Sequence, residues 1–151
     1  GGDMKKVIVV LALILLAATL KAYCEYTAMK SLKTTLKDVR ITGFKLSTVD
    51  LDVELLIENP SRFSTPKFQV QYDIYIFGEH LGNGTTSEVK IPGRSNVSTH
   101  TKLTINFLKI GRGIIEALKR GKMEVTVKGV LKVKLLGVIP LNMPFEVKRE
   151  F

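Results

Sequence analysis

The stretch Val49-Asp50-Leu51-Asp52-Val53-Glu54-Leu55-Leu56-Ile57-Glu58-Asn59-Pro60 decides the fold. Every odd-numbered position from Val49 to Ile57 carries a branched aliphatic side chain. The even-numbered positions, Leu56 apart, are acids. A period of two belongs to a strand with one face in a core and the other in water. Asn59-Pro60 ends it, because proline has no N–H for a ladder and asparagine hydrogen-bonds turn backbone with its own side chain.

The same period recurs further along the chain. Phe68, Val70, Tyr72, Ile74 and Ile76 alternate with Gln69, Gln71 and Asp73. Gly78 begins a turn, and Leu81-Gly82-Asn83-Gly84 has the glycine for a hairpin end or a bulge. Val89 and Ile91 form a short strand halted by Pro92-Gly93. Val97, Thr99, Thr101, Leu103, Ile105 and Phe107 line one face of the next. Met123, Val125 and Val127 start another, with Gly129 expected at a bulge before Leu131, Val133 and Leu135. Leu141, Met143, Phe145 and Val147 form the last strand, and Pro140 and Pro144 mark it as an edge. One segment departs from this pattern. Leu108 to Arg120 places Ile110, Ile114 and Leu118 at helical spacing, with Gly121 as the stop and Lys119 and Arg120 near the negative end of the dipole. About seven short strands with one short helix make an all-β, antiparallel β-sandwich.

A hydrophobic helix precedes the sandwich. Met4-Lys5-Lys6 leads into Val7–Leu20, a run in which Thr19 is the only polar residue. Gly1–Asp3 read as a cloning remnant ahead of a native Met4. Fourteen helical residues are about 21 Å long, short of a hydrocarbon core of about 30 Å, but Ala22, Tyr23 and Cys24 extend the apolar body and Lys21 can snorkel. A retained signal anchor over 4–24 is the favoured reading. A cleaved signal peptide competes, with Ala17-Ala18-Thr19 the nearest approach to a processing site. The alternatives of a lipidated Cys24 and of a buried helix fit less well. A linker over 25–35 then precedes a domain over 36–151. Lys5 and Lys6 favour a cytoplasmic N-terminus and an extracytoplasmic domain, secreted if the segment is cleaved. The sequons at Asn83 and Asn96 would then be usable.

The 151 residues are 45% hydrophobic and 25% charged, an ordinary globular composition. One cysteine excludes an internal disulfide framework and a thiolate zinc site, and two histidines, His80 and His100, supply too few ligands for a metal centre. No Gly-x-Ser-x-Gly elbow exists. Asp50, Asp52 and Glu54, successive residues on one strand face, read as a wet outer face rather than a glycosidase pair. The expectation is therefore no catalytic residue, no metal and no cofactor. The net charge of +9 falls almost wholly beyond Met29. Lys119, Arg120, Lys122, Lys128, Lys132 and Lys134 form a basic stretch with no interleaved aromatics, which argues against nucleic acid. Contact with anionic lipid headgroups is the better functional use, and a solvated strand face the plainer one.

The run Leu55-Leu56-Ile57-Glu58-Asn59-Pro60, followed by Pro66, Tyr72, Ile74, Ile76, Gly78, Leu81, Gly84 and Ile91-Pro92, resembles the WHy domain of LEA14-like (group 2 atypical) late embryogenesis abundant proteins. The likeness runs from about Leu36 to Val147. Ser61 departs from it where many members carry a second Asn, and Glu79-His80 fill a variable turn. The resemblance implies a fibronectin III-like or immunoglobulin-like sandwich in which Asn59, Pro60, Pro66, Gly78, Gly84 and Pro92 are structural. It also implies protection of client proteins or membranes against desiccation, cold or other stress, without catalysis. A lipid- or membrane-surface-binding module acting through the basic stretch is the alternative.

Overall fold

The computed structural model describes residues 2–106, 111, 114, 116–117 and 120–151. Helix α1 (Gly2–Ser31) leads directly into β1 (Lys33–Phe44), β2 (Thr48–Asn59), β3 (Phe68–Ile76), β4 (Glu79–Thr85), β5 (Ser95–Asn106), β6 (Glu124–Leu135) and β7 (Ile139–Glu150). The strands form two antiparallel sheets, β1-β2-β5 and β4-β3-β6-β7, and the alternation in β2 and β3 turns their apolar faces toward each other. Val49, Leu51, Val53, Leu55 and Ile57 from the first sheet, and Phe68, Val70, Ile74, Ile76, Val125 and Val127 from the second, are almost completely buried. Removing such a side chain from water stabilises the fold by about 1.5–3 kcal/mol. The expected β-sandwich is therefore the observed one, with β7 at an edge as Pro140 and Pro144 require.

Several local expectations are corrected. No irregular linker occupies 25–35: α1 continues to Ser31 and β1 starts at Lys33. The helix extends beyond its apolar run because Ala28 and Met29 are buried against the sandwich, Met29 within the main core. Residues 33–44, which lack a clean period of two, are a full edge strand held by pairing with β2. Leu81–Gly84, read as a hairpin end or bulge, lies within strand β4 and does hold a bulge: its pairing with β3 passes from Gly82 to His80 and leaves Leu81 as the extra residue, while Val89 makes only an isolated bridge to Phe68. Gly129 is no bulge, since β6 keeps register through it with both β3 and β7. Its hydrogen leaves room for the Phe145 ring and the Gln71 carbonyl, both of which a Cβ would strike.

Most of the expected helix Leu108–Arg120 lies outside the described residues. At its end the Arg120 N–H donates to the Glu116 carbonyl and the Lys122 N–H reaches back to Ala117 (3.0 Å each). Gly121 sits between them at φ +75°, the left-handed residue of a Schellman stop.

The two sides of the sandwich close differently. On one side β1 carries a bulge between Leu36 and Asp38, and the Arg149 guanidinium from β7 donates to the carbonyls of Leu36 (3.3 Å) and Lys37 (2.5 Å). On the other side, between β4 and β5, a cleft of about 750 Å³ opens beside Tyr72, Gly84 and Thr99.

Candidate functional site

Three connections and the end of α1 gather at one end of the sandwich, here called the anchor end. The β2–β3 connection (60–67) and the β4–β5 connection (86–94) meet there, as does the β6–β7 turn (136–138). The far end holds the β1–β2 and β3–β4 turns, the latter a two-residue turn with Phe77 and Gly78 both at positive φ.

Asn59 organises the anchor end. It is 1% exposed, and its Nδ2 donates to the carbonyls of Phe63 (2.8 Å), Ile91 (3.2 Å) and Pro92 (3.2 Å). Its Oδ1 accepts from the N–H (3.1 Å) and the hydroxyl (2.7 Å) of Ser61. Every polar atom of the amide is thus used inside the protein, which makes Asn59 a loop clamp rather than a ligand. Thr65, buried, repeats the pattern: its N–H donates to the Ile91 carbonyl and its hydroxyl accepts from the Ile91 N–H, both at 2.9 Å. The Arg94 N–H donates to the Ser61 carbonyl (2.8 Å), and a side chain at Gly93 would strike the Arg62 carbonyl. Ser61, at the family departure, therefore takes a full part in the clamp.

The other expected structural residues serve packing and turns. Pro60 is exposed just past the clamp, and Pro66 precedes β3 on the rim of a groove shared with Lys67, Lys134, Gly137 and Pro140. Gly78 is the second residue of the β3–β4 turn. Gly84 lies under the Tyr72 ring, where a Cβ would overlap it. The Tyr72 hydroxyl has no well-formed hydrogen bond among the described residues. Burial pushes its pKa up, a shift that the nearby Thr101 hydroxyl partly offsets.

The basic stretch does not form one patch. Arg120 and Lys122 sit at the far end, while Lys132 and Lys134 lie at the anchor end, separated by the length of β6 at about 3.3 Å per residue. Lys128, between them, pairs in register with Asp73 and Glu146 and sits 5.1 Å from the centre of the Tyr75 ring. Lys119 lies outside the described residues. On the outer face of β2 and β5, His100 Nδ1 is 3.4 Å from Asp52 and its Nε2 3.8 Å from Glu54, a cross-strand network of an exposed imidazole and two half-buried acids. Among the described residues, no three His, Cys, Asp or Glu side chains converge as a metal site.

A feature that no periodicity flagged ties the helix to this end. The Leu136 N–H, in the β6–β7 turn, donates to the Glu25 carboxylate at 2.7 Å. Leu136 and Gly137 both have positive φ, a sharp reversal that turns Val138 and Ile139 outward, 73% and 48% exposed. The only sequence signal was Gly137 followed by two aliphatics and Pro140.

An antiparallel two-sheet sandwich carried on a long apolar helix is the class these features define. Residues 54–149 match the late embryogenesis abundant protein family LEA_2, and the chain belongs to that family. It is similar to a solution structure from Arabidopsis thaliana (TM-score 0.61, 13% identity, 78% of this chain and 79% of that one). A second solution structure, of a putative late embryogenesis abundant (LEA) protein, aligns over 97% of this chain and 86% of its own with a TM-score of 0.50 and 14% identity. At such identities the likeness speaks to fold alone. No curated protein matches the sequence.

Proposed function

We propose that this chain is a non-enzymatic protective protein, tethered to a membrane by α1, whose extracytoplasmic sandwich shields proteins or bilayers during desiccation or similar stress. Family membership supports the protective role, and one structural observation carries the tether. Helix α1 is 30 residues long, about 45 Å, and its apolar stretch is unburied by the rest of the chain. Such a surface in water is costly, and a bilayer is the solvent it matches. The burial of Met29 and the Glu25–Leu136 bond make the end of the helix part of the fold, so the apolar stretch runs without a break into the sandwich.

Two measurements test this reading. Intact mass and carbonate extraction of the native protein should find the full chain in membranes, whereas a shortened soluble product overturns the anchor. Vesicles bearing the full chain, dried and rehydrated with a labile enzyme, should preserve more activity than vesicles mixed with albumin at equal mass. Equal recovery overturns the protective role. Lipid-surface binding is the second reading, favoured by the basic side chains at the anchor end.

A further inference from the structure

Lys134 and Lys67 border one groove of the anchor end with Gly137 and Pro140, at the foot of the exposed pair Val138 and Ile139. Arg62 and Arg94 lie on the two loops that the Asn59 clamp joins, and both are exposed. The acids here are fewer. Glu25 is engaged by Leu136, leaving Glu58 and the groove-rim Glu88 to oppose the cations.

The height of this surface on the helix is fixed. From Val7 to Tyr23 the helix rises about 26 Å, close to the hydrocarbon thickness once slight thinning or snorkelling is allowed. Tyr23 and Tyr26, both exposed, then fall where hydrocarbon gives way to headgroups. Glu25 lies between them, and its bond holds Leu136 at that same level. The β6–β7 turn is therefore pinned beside the interfacial tyrosines, with two aliphatic side chains facing out and cations around them.

We propose that the anchor end of the sandwich docks on the bilayer that α1 crosses. Val138 and Ile139 seat in the boundary between headgroups and acyl chains, and Arg62, Lys67, Arg94 and Lys134 meet anionic headgroups. The inference rests on the tether reading above. The partner is a lipid surface rather than a protein because the patch is continuous with the spanning helix, small in apolar area and ringed by cations.

The chain has no tryptophan, so one substitution supplies a clean reporter. Full-length Val138→Trp, reconstituted in phosphatidylcholine vesicles with and without phosphatidylserine, should show blue-shifted emission quenched by brominated lipid, more strongly with phosphatidylserine. Ile139→Trp should behave alike, while Leu46→Trp, fully exposed at the far end, should stay unquenched. Reversing Arg62, Lys67 and Lys134 to Glu, or raising salt, should release the quenching. Each cation is worth about a fivefold change in the docked-to-free ratio at low salt. Protein that floats with the vesicles while both turn reporters stay unquenched overturns docking and leaves the tether standing. Protein that fails to float overturns the tether and docking with it. Quenching indifferent to phosphatidylserine and to charge reversal overturns the headgroup contacts.

Discussion

The side-chain amide of Asn59 donates to the carbonyl of Ile91, 32 residues away in sequence, and this bond joins the two connections that cross between the sheets at one end. A two-sheet sandwich is held mainly by its core, but its loops carry backbone groups that neither ladder satisfies. Asn59 and Thr65 supply those partners from buried positions. Replacing Asn59 by Ala leaves the Phe63, Ile91 and Pro92 carbonyls without this donor and opens a polar void. A loss of roughly 3 kcal/mol in urea unfolding is expected. Asn59→Asp should do no better, because it turns an acceptor toward those three carbonyls. Stability within 1 kcal/mol of wild type, on the scale of a single ordinary hydrogen bond, in either variant would show the clamp to be dispensable.

Gly129 makes a sharper case, because its neighbours are of two kinds. A Cβ there meets the Phe145 ring, which can swing away, and the Gln71 carbonyl, which belongs to the β3 backbone and cannot. Gly129→Ala should cost about 3 kcal/mol, the upper range for overpacking. Adding Phe145→Ala should not restore the wild-type midpoint in thermal unfolding. Full rescue would place the whole penalty on the ring.

These two sites mark where the sequence was readable. Alternation exposed β2, β3, β5, β6 and β7, since each turns one face to a core and the other to water. Asn59-Pro60 announced a turn. It could not announce the Ile91 and Pro92 carbonyls, because a side chain's distant partners are set by how loops cross. Strand β1 was hidden for a related reason: two register shifts against β2 break its period. Gly129 looked like a bulge because a strand glycine has two common causes, a bulge or a close approach, and periodicity does not separate them. Of the candidate site, the lysines were visible as charge, but their division between opposite ends of β6 was not.

Tyr72 gives the fold a pH dependence at the alkaline side. Its side chain is buried, burial raises its pKa above the ordinary 10.0, and the folded state therefore holds this proton more tightly than the unfolded chain. Where the unfolded state binds fewer protons, stability falls as pH rises. The contribution is fully present below pH 10, is lost as pH climbs from there through the raised folded-state pKa, and levels off above it. Tyr72→Phe should flatten that decline. It should also raise stability at neutral pH by up to about 1 kcal/mol, because it removes a buried hydroxyl that lacks a well-formed partner. Denaturant midpoints measured from pH 7 upward check both; an unchanged alkaline slope in the variant would assign it to other groups.

Glu25 couples the helix to the sandwich by a charge-assisted hydrogen bond, the kind worth about 1.5–3 kcal/mol when protected and less where water reaches it. Glu25 is half-buried beside Ala28 and Met29, so part of that value should survive. Glu25→Gln keeps an acceptor and should weaken the bond by about 1 kcal/mol, while Glu25→Ala removes it. In hydrogen exchange of the full chain in lipid, Leu136 is the amide to follow. Its protection should drop in the order wild type, Gln, Ala, with amides in the centre of β6 unchanged. Slower exchange at Leu136 than at its turn neighbour Gly137 in wild type, abolished in Glu25→Ala, would tie the height of the turn to this one carboxylate. Equal protection in all three proteins would mean that Met29 packing alone sets the angle of the sandwich on its helix.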